Sequence, residues 1–263
     1  GRIPSSTERA PKTKGRTTHF NVSSESYYAT NYALVDEMDF ETLVNQDDPL
    51  KLKEKGARNL VNLLMLDMEN RIASQTRSVS NMGSGSTVAS KWSSSTAGTS
   101  DPFGDIALAK NTIRSQTGYD ANTMIIGREA YNALVRHADI LDRIKYVQRG
   151  VVTADLLASL FDIPNVYVGN SIINTGEENL ADSFSDVWGD DTIIAHFAQP
   201  ETDGKNPSLM YGFRWTNPLF GSPMAVESWD DPDHRNFTNL RVQYYQDEKI
   251  TAKDLGYVLK DCA

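Results

Sequence analysis

Apolar residues recur along this chain with two different periods, and the switch between them sets the expected architecture. Between residues 49 and 76, Leu60, Leu64, Met68 and Ile72 return every four positions, and Ala57, Val61 and Met65 widen the stripe. That spacing predicts one long amphipathic helix. Asp48 suits its N-cap and Pro49 its first helical position. At 1.5 Å per residue the span is roughly 42 Å. Gly56 is the weak point and a candidate bend. A helix this long in a chain of 263 residues predicts a strut rather than a member of a compact bundle.

The middle of the chain alternates the two periods. Asp101-Pro102 repeats the capping pattern, Ile106, Lys110 and Ile113 follow at helical spacing, and Gly118 supplies a C-terminal stop. Met124-Ile125-Ile126 reads as a short buried strand, and Ala130, Leu134 and His137 mark another helix. A third helix starts at Thr153, carries Leu156, Leu157, Leu160 and Phe161, and ends before Pro164. Val166-Tyr167-Val168 and residues 192–198 read as two more buried strands. Helices alternating with short strands predict an α/β unit with helices covering a sheet. In the last quarter, Leu209, Tyr211, Phe213 and Trp215, then Leu240, Val242 and Tyr244, alternate with other residues at period two. Half-buried antiparallel strands follow. The stretch 17–40 is rich in Thr, Tyr, Val and Phe with a Ser-Ser-Glu-Ser break, and predicts a long hairpin without an Asn-Gly turn to fix its register. Residues 78–100 are dominated by Ser, Thr and Gly, with Trp92 as the sole large anchor; they predict a loop dividing the chain into two halves.

Charge changes this picture at the N-terminus. Residues 1–16 carry Arg2, Arg9, Lys12, Lys14 and Arg16 against Glu8 alone, and Pro4 and Pro11 disfavour helix there. An extended basic arm is expected. Residues 17–50 contain no Lys or Arg and hold Glu25, Asp36, Glu37, Asp39, Glu41, Asp47 and Asp48. So sharp a reversal of sign requires an explanation. Over the whole chain the formal charge is −9, which argues against tight sequence-blind nucleic-acid binding by the surface at large. The longest apolar run, residues 63–66, is far short of the ~20 residues that span a membrane. Cys262 is the single cysteine, so no intrachain disulfide forms. The chain opens on Gly1 without a signal-like apolar core or an initiator Met, which fits a trimmed or incomplete N-terminus.

Motifs for chemistry fail their physical requirements one by one. Gly83-Ser84-Gly85-Ser86-Thr87 lacks the Lys and the helix start that a phosphate loop needs, and reads as flexible loop. His19, His137, His196 and His234 never fall at the spacing that brings two imidazoles to one zinc ion. Asp230-Asp231-Pro232-Asp233-His234 has oxygen and imidazole donors, but a Pro within a polar run marks an acidic turn. No Gly-x-Ser-x-Gly elbow is present. Cys262 beside a frayed terminus reads as an inert thiol. Asn21-Val22-Ser23 and Asn236-Phe237-Thr238 match the glycosylation triplet by chance. Asp190-Asp191 and Glu177-Glu178 read as solvated loop carboxylates. No catalytic, cofactor-binding or metal site is expected, and no cofactor.

The run from Ile126 to Asn170, IGREAYNALVRHADILDRIKYVQRGVVTADLLASLFDIPNVYVGN, resembles the major capsid proteins of tailed bacteriophages and their prophages. The resemblance continues through SFSDVWGDD at 183–191, VESWDD at 226–231 and RVQYYQDEKITAKDLGYVLKD at 241–261, and upstream through Asp47-Asp48-Pro49-Leu50 opening the long helix. The first 46 residues match in character only.

The resemblance implies an α+β chain of the Hong Kong 97-type phage capsid fold. Its parts would be an N-terminal arm (1–16), an extended hairpin loop (17–45), a peripheral domain with the spine helix (46–100), an axial α/β domain (101–209), returning peripheral strands (210–251) and a C-terminal segment (252–263). It implies a non-enzymatic protein that self-assembles as hexamers and pentamers into an icosahedral head around phage double-stranded DNA. Its partners would be copies of itself, a portal, and scaffolding or decoration proteins, with no membrane partner. Its place would be the virion, assembled in the host bacterial cytoplasm. The expected subunit contact sets Arg2, Arg9, Lys12, Lys14 and Arg16 of the arm against an acidic strip of a neighbour, at Asp36, Glu37, Asp39 and Glu41. Some members lock the shell by a bond from a hairpin Lys to a neighbour's Asn; the hairpin region here has no Lys, so no such link is expected to start there. An opening without Met fits removal of a scaffolding segment by a maturation protease, and fits an incomplete N-terminus equally well. An encapsulin-type nanocompartment shell and a gene-transfer particle share the implied fold. An α/β enzyme with a dispersed site is the alternative of a different class; monodisperse monomers with turnover would mark it.

Overall fold

The computed structural model describes residues 8, 11, 14, 26–45, 51–94, 99–145, 152–176, 181–198, 206–216, 221–231 and 236–263. Helix α2 (Leu52–Thr76) is the expected strut, 25 residues or roughly 37 Å. The predicted cap at Asp48-Pro49 lies outside the described residues, and Lys51, with φ 39°, precedes the helix instead. Its apolar stripe serves two different cores. Leu60 and Leu64 pack with Leu240, Val242 and Tyr244, whereas Ala73, Leu66 and Ile72 belong to a second, larger cluster. Gly56 is buried, and a Cβ there would lie 2.2 Å from Met38 Cε and 3.1 Å from Asp36 Oδ2, so it lets the helix approach a strand closely.

The first core lies between α2 and a four-stranded antiparallel sheet. Strand β10 (Phe237–Ile250) is its centre. Strand β1 (Thr30–Asp39) pairs along one side, from Thr30↔Gln246 to Asp39↔Phe237, and the short helix α1 (Phe40–Val44) follows it. On the other side β8 (Met210–Trp215) takes residues 245–250 and β9 (Met224–Asp230) takes 238–244, two strands end to end along one edge. Period two holds: Leu240, Val242 and Tyr244 face the helix. Residues 30–39 of the expected hairpin over 17–40 form β1 and pair along β10. The pairing buries Tyr32 and Met38 against the helix, which a two-stranded ribbon alone cannot do. Residues 17–25 lie outside the described residues.

The larger core surrounds a five-stranded mixed sheet in the order β2-β11-β7-β3-β4. Helix α3 (Pro102–Thr117) is capped as expected: Asp101 Oδ1 accepts from the Gly104 N–H at 2.9 Å, and Gly118 stops it at φ 80°. Strand β3 (Thr123–Gly127) follows and puts Met124 and Ile126 wholly out of solvent. Then come α4 (Arg128–Arg136), α5 (Ala138–Ile144) and α6 (Ala154–Phe161), the last capped by Thr153 Oγ1 on the Leu156 N–H at 3.3 Å. Strand β7 (Thr192–Ala195) is buried throughout. Strand β4 (Asn165–Gly169) was expected to be buried and instead has Tyr167 exposed, because among the described residues β3 alone pairs with it.

Two strands of this sheet come from segments read otherwise in the sequence. Strand β2 (Ser84–Thr87) lies within the presumed loop and pairs in parallel with β11 (Gly256–Lys260). Gly85 is needed there, since a Cβ would meet Val258 Cγ1 at 2.7 Å. Trp92 is the expected anchor: it is buried, its Nε1 donates to Asp105 Oδ2 at 2.9 Å, and its backbone N–H donates to Cys262 O at 2.8 Å. The C-terminus is therefore not frayed. Strand β11 is interior to the sheet and Cys262 is completely buried, where burial pushes its thiol up to about 12.

Candidate subunit interface

The acidic residues expected to meet a neighbour sit at one border of the four-stranded sheet. Asp36, Glu37 and Asp39 lie on β1 and Glu41 in the first turn of α1. Alternation along the strand divides them. Asp36 shares the helix-facing side with Met38 and is half-buried, whereas Glu37 is exposed on the opposite side. Asp36, Glu37 and Asp39 nevertheless line one open groove of about 430 Å³, together with Thr42, Leu43, Leu52, Gly56 and Asn59. Folding also brings Lys55 of α2 into that groove. The charge pattern along the chain gave no sign of this, because Lys55 lies outside the acidic stretch. Among the described residues no strand pairs with the outer edge of β1. Of the basic arm, Lys14 is exposed, and Arg2, Arg9, Lys12 and Arg16 lie outside the described residues.

On the sheet face away from α2 the described strands display aromatic rings. Tyr27 stacks on Phe213 at 4.5 Å, Trp215 meets Tyr245 edge-on at 4.9 Å, and Arg241 lies 5.2 Å over Trp229 while pairing with Glu227. Tyr27, Tyr28 and Trp215 are exposed. Such a face is suited to contact with another surface.

A second exposed feature was not legible in the sequence. Strands β5 (Ile172–Asn174) and β6 (Phe184–Asp186) form a small two-stranded sheet beside the five-stranded one. Its base is held to α2: Glu69 accepts from Trp188 Nε1 at 2.7 Å and from Ser171 Oγ at 2.6 Å. Nearby, Arg77 donates to Asp191 at 2.6 Å and to Val187 O at 3.0 Å, and Lys260 also reaches Asp191 at 2.6 Å. These contacts fix the helix against the five-stranded layer. Three-residue strands are too short to leave a periodic trace.

Among the described residues no three His, Cys, Asp or Glu side chains gather where a metal ion would sit. His137 caps α5 through Nδ1, which accepts from the Asp139 N–H at 3.3 Å, and bonds Ser100 through Nε2 at 2.9 Å. His196 bonds Asp120 O at 2.7 Å. Asp230 accepts from Thr238 Oγ1 at 3.1 Å at the end of β9, and residues 232–235 of the acidic turn lie outside the described residues. No described helix is long and apolar enough to cross a membrane.

Comparison with known proteins agrees with this architecture. The family model of phage major capsid protein E matches residues 76–202. The major capsid protein of Burkholderia phage BcepMu is 30% identical over 168 residues, which cover 62% of this chain and 53% of that protein. The match thus spans about half the length of that curated relative. Among solved structures, a phage-related protein from Bordetella bronchiseptica RB50 superposes with a TM-score of 0.76 at 23% identity, over 90% of this chain and 77% of that one. The capsid of cyanophage P-SCSP1u superposes with a TM-score of 0.55 at 11% identity, over 98% of this chain and 80% of that one. The chain is similar to phage major capsid proteins, and its α+β architecture is the Hong Kong 97-type phage capsid fold.

Proposed function

We propose that this chain is the shell-forming subunit of a tailed-phage head, assembling as hexamers and pentamers into an icosahedral shell around packaged double-stranded DNA. The observation that carries this reading is a capsid fold over nearly the whole chain, joined to sequence identity with a phage major capsid protein. In this reading α2 with β1, β8, β9 and β10 forms the peripheral part. The five-stranded sheet and its helices form the axial part, and residues 1–16 form the arm.

A closed shell needs heterologous contacts that repeat from copy to copy. Arg9, Lys12 and Lys14 of one subunit are proposed to lie along the groove at Asp36, Glu37 and Asp39 of the next, with Glu41 of α1 beside it. Exposed ion pairs are individually weak, so these charges would guide register and encounter while apolar contacts hold the shell together. Lys55 at the groove would restrict where an incoming cation can settle. The net charge of −9 suits a wall that encloses DNA without gripping it. A portal, and scaffolding or decoration proteins, are the proposed further partners, with assembly in the host cytoplasm and the virion as destination.

Electron microscopy of the purified chain tests the reading. Icosahedral particles without an enzyme cargo are expected. Monodisperse monomers would overturn it, and particles filled with an enzyme would assign the shell to a nanocompartment instead.

A further inference from the structure

The β5–β6 pair carries exposed apolar side chains. Phe184 is 69% exposed and Ile172 53%. Opposed residues share a face in an antiparallel pair, and Ile172↔Asp186 and Asn174↔Phe184 place these two apolar side chains together. The hairpin is internally fixed: Asn174 Oδ1 accepts from the Gly176 and Ser183 N–H groups, each at 3.0 Å, and Thr175 N–H donates to Ser183 O at 2.7 Å. Glu69 holds its base, as described above. Glu129, Asp186 and Asp190 line the same open recess as Ile172 and Phe184, and the described part of the hairpin has no Lys or Arg. A large aromatic side chain held in place but uncovered is an anchor ordered before it binds.

A recess of matching character exists elsewhere in the same fold. Helices α3, α5 and α6 enclose an open cavity of about 330 Å³, lined by Phe103, Ile106, Ala107, Leu160 and Phe161 with Lys110 and Arg143. Phe103 and Phe161 face each other at 5.1 Å, and the Arg143 guanidinium lies 3.7 Å over Phe103. Lys110 donates to Phe161 O at 2.7 Å and Asp162 O at 2.8 Å. Among the described residues no carboxylate lines the cavity, though Asp162 stands at its margin, 3.5 Å from Lys110. Hairpin and cavity share no lining residue.

We propose that the β5–β6 hairpin of one copy seats Phe184 in the α3–α5–α6 cavity of a second copy. The apolar knob meets an aromatic floor, and the carboxylates around it meet Arg143 and Lys110. Two different patches of one chain make this contact head to tail, so it repeats around a ring. The contact rests on the shell reading above and names one of the surfaces on which it would depend.

Paired cysteines test it. Phe184→Cys and Ala107→Cys both alter exposed positions, and the native Cys262 is buried. The double variant, assembled and oxidised, is expected to run as a ladder of linked chains on a denaturing gel, and the two single variants mixed together as heterodimers. A link closed within one chain, or assembled particles with no link at all, would overturn the contact. Phe184→Ser is expected to raise the concentration needed for assembly about tenfold with an unchanged circular dichroism spectrum. Assembly of that variant at the wild-type concentration would also overturn it. If the wild-type chain does not assemble, the shell reading itself fails and this contact with it, a result distinct from loss in the variants alone.

Discussion

Arg71 on α2 donates from Nη2 to Glu248 on β10 at 3.0 Å, joining the strut to the centre of the sheet it covers. Glu248 is nearly inaccessible, with its side chain 4% exposed, and Arg71 is 20% exposed. Arg71 also donates to Tyr244 Oη at 2.9 Å and lies 3.7 Å over the Tyr32 ring. Burial by itself lowers the guanidinium pKa. The hydrogen bonds to Glu248 and Tyr244, with the charge of Glu248, outweigh that effect and raise it. Burial chiefly raises the Tyr244 phenol, which therefore stays neutral beside Glu248.

Removing one partner should cost more than removing both. Arg71→Ala leaves a buried carboxylate unpaired and is expected to lose about 3–5 kcal/mol of stability. The pair Arg71→Met with Glu248→Leu is expected to regain most of it. Urea unfolding followed by circular dichroism measures both, and a loss below about 1 kcal/mol for the single variant would count against a buried anchor.

Reversing the arm should uncouple folding from assembly. Arg9→Glu, Lys12→Glu and Lys14→Glu together are expected to give a folded subunit that assembles poorly. Normal particles from this variant would refute the proposed pairing with Asp36, Glu37, Asp39 and Glu41. Salt-dependent DNA binding lost in the same variant would assign the arm to the cargo instead.

No covalent ladder should begin in the region 17–45, which contains no Lys. Purified particles boiled in detergent are expected to run as single chains. Bands at multiples of the chain mass, traced by mass spectrometry to this region, would contradict that.

Cys262 should resist thiol reagents until the protein unfolds. Its folded pKa is raised by burial from 9.0 to about 12. Below the ordinary thiol value both states hold the proton, and the thiol's contribution is fully present. Between 9.0 and about 12 the unfolded chain ionises first, so stability falls as pH rises. The loss approaches about 1.4 kcal/mol per pH unit from this group. A Cys262→Ala variant with the same alkaline slope as wild type would show that the thiol contributes nothing to it.

The proposed interface was only partly legible. The acidic residues could be named because charge is visible without structure, but their division across β1 could not, since it depends on which side α2 covers. Ile172 and Phe184 were missed: three-residue strands carry no period, and an apolar residue declares itself exposed only when nothing packs on it.

What the sequence determined by itself was everything decided within a few residues. Asp101 and Thr153 cap the helices that follow them, Gly118 stops α3, and the stripe through Leu60 and Leu64 makes α2, because each of these signals acts over one or two turns of backbone. Tertiary structure alone decided the strand partners. Ser84–Thr87 has the composition of a loop and becomes β2 because β11 presents an open edge at the distance Gly85 permits. Residues 30–39 pair with β10 because that pairing places Tyr32 and Met38 beneath the helix. Strand choice is settled by burial against residues some two hundred positions away, and no local pattern carries that information.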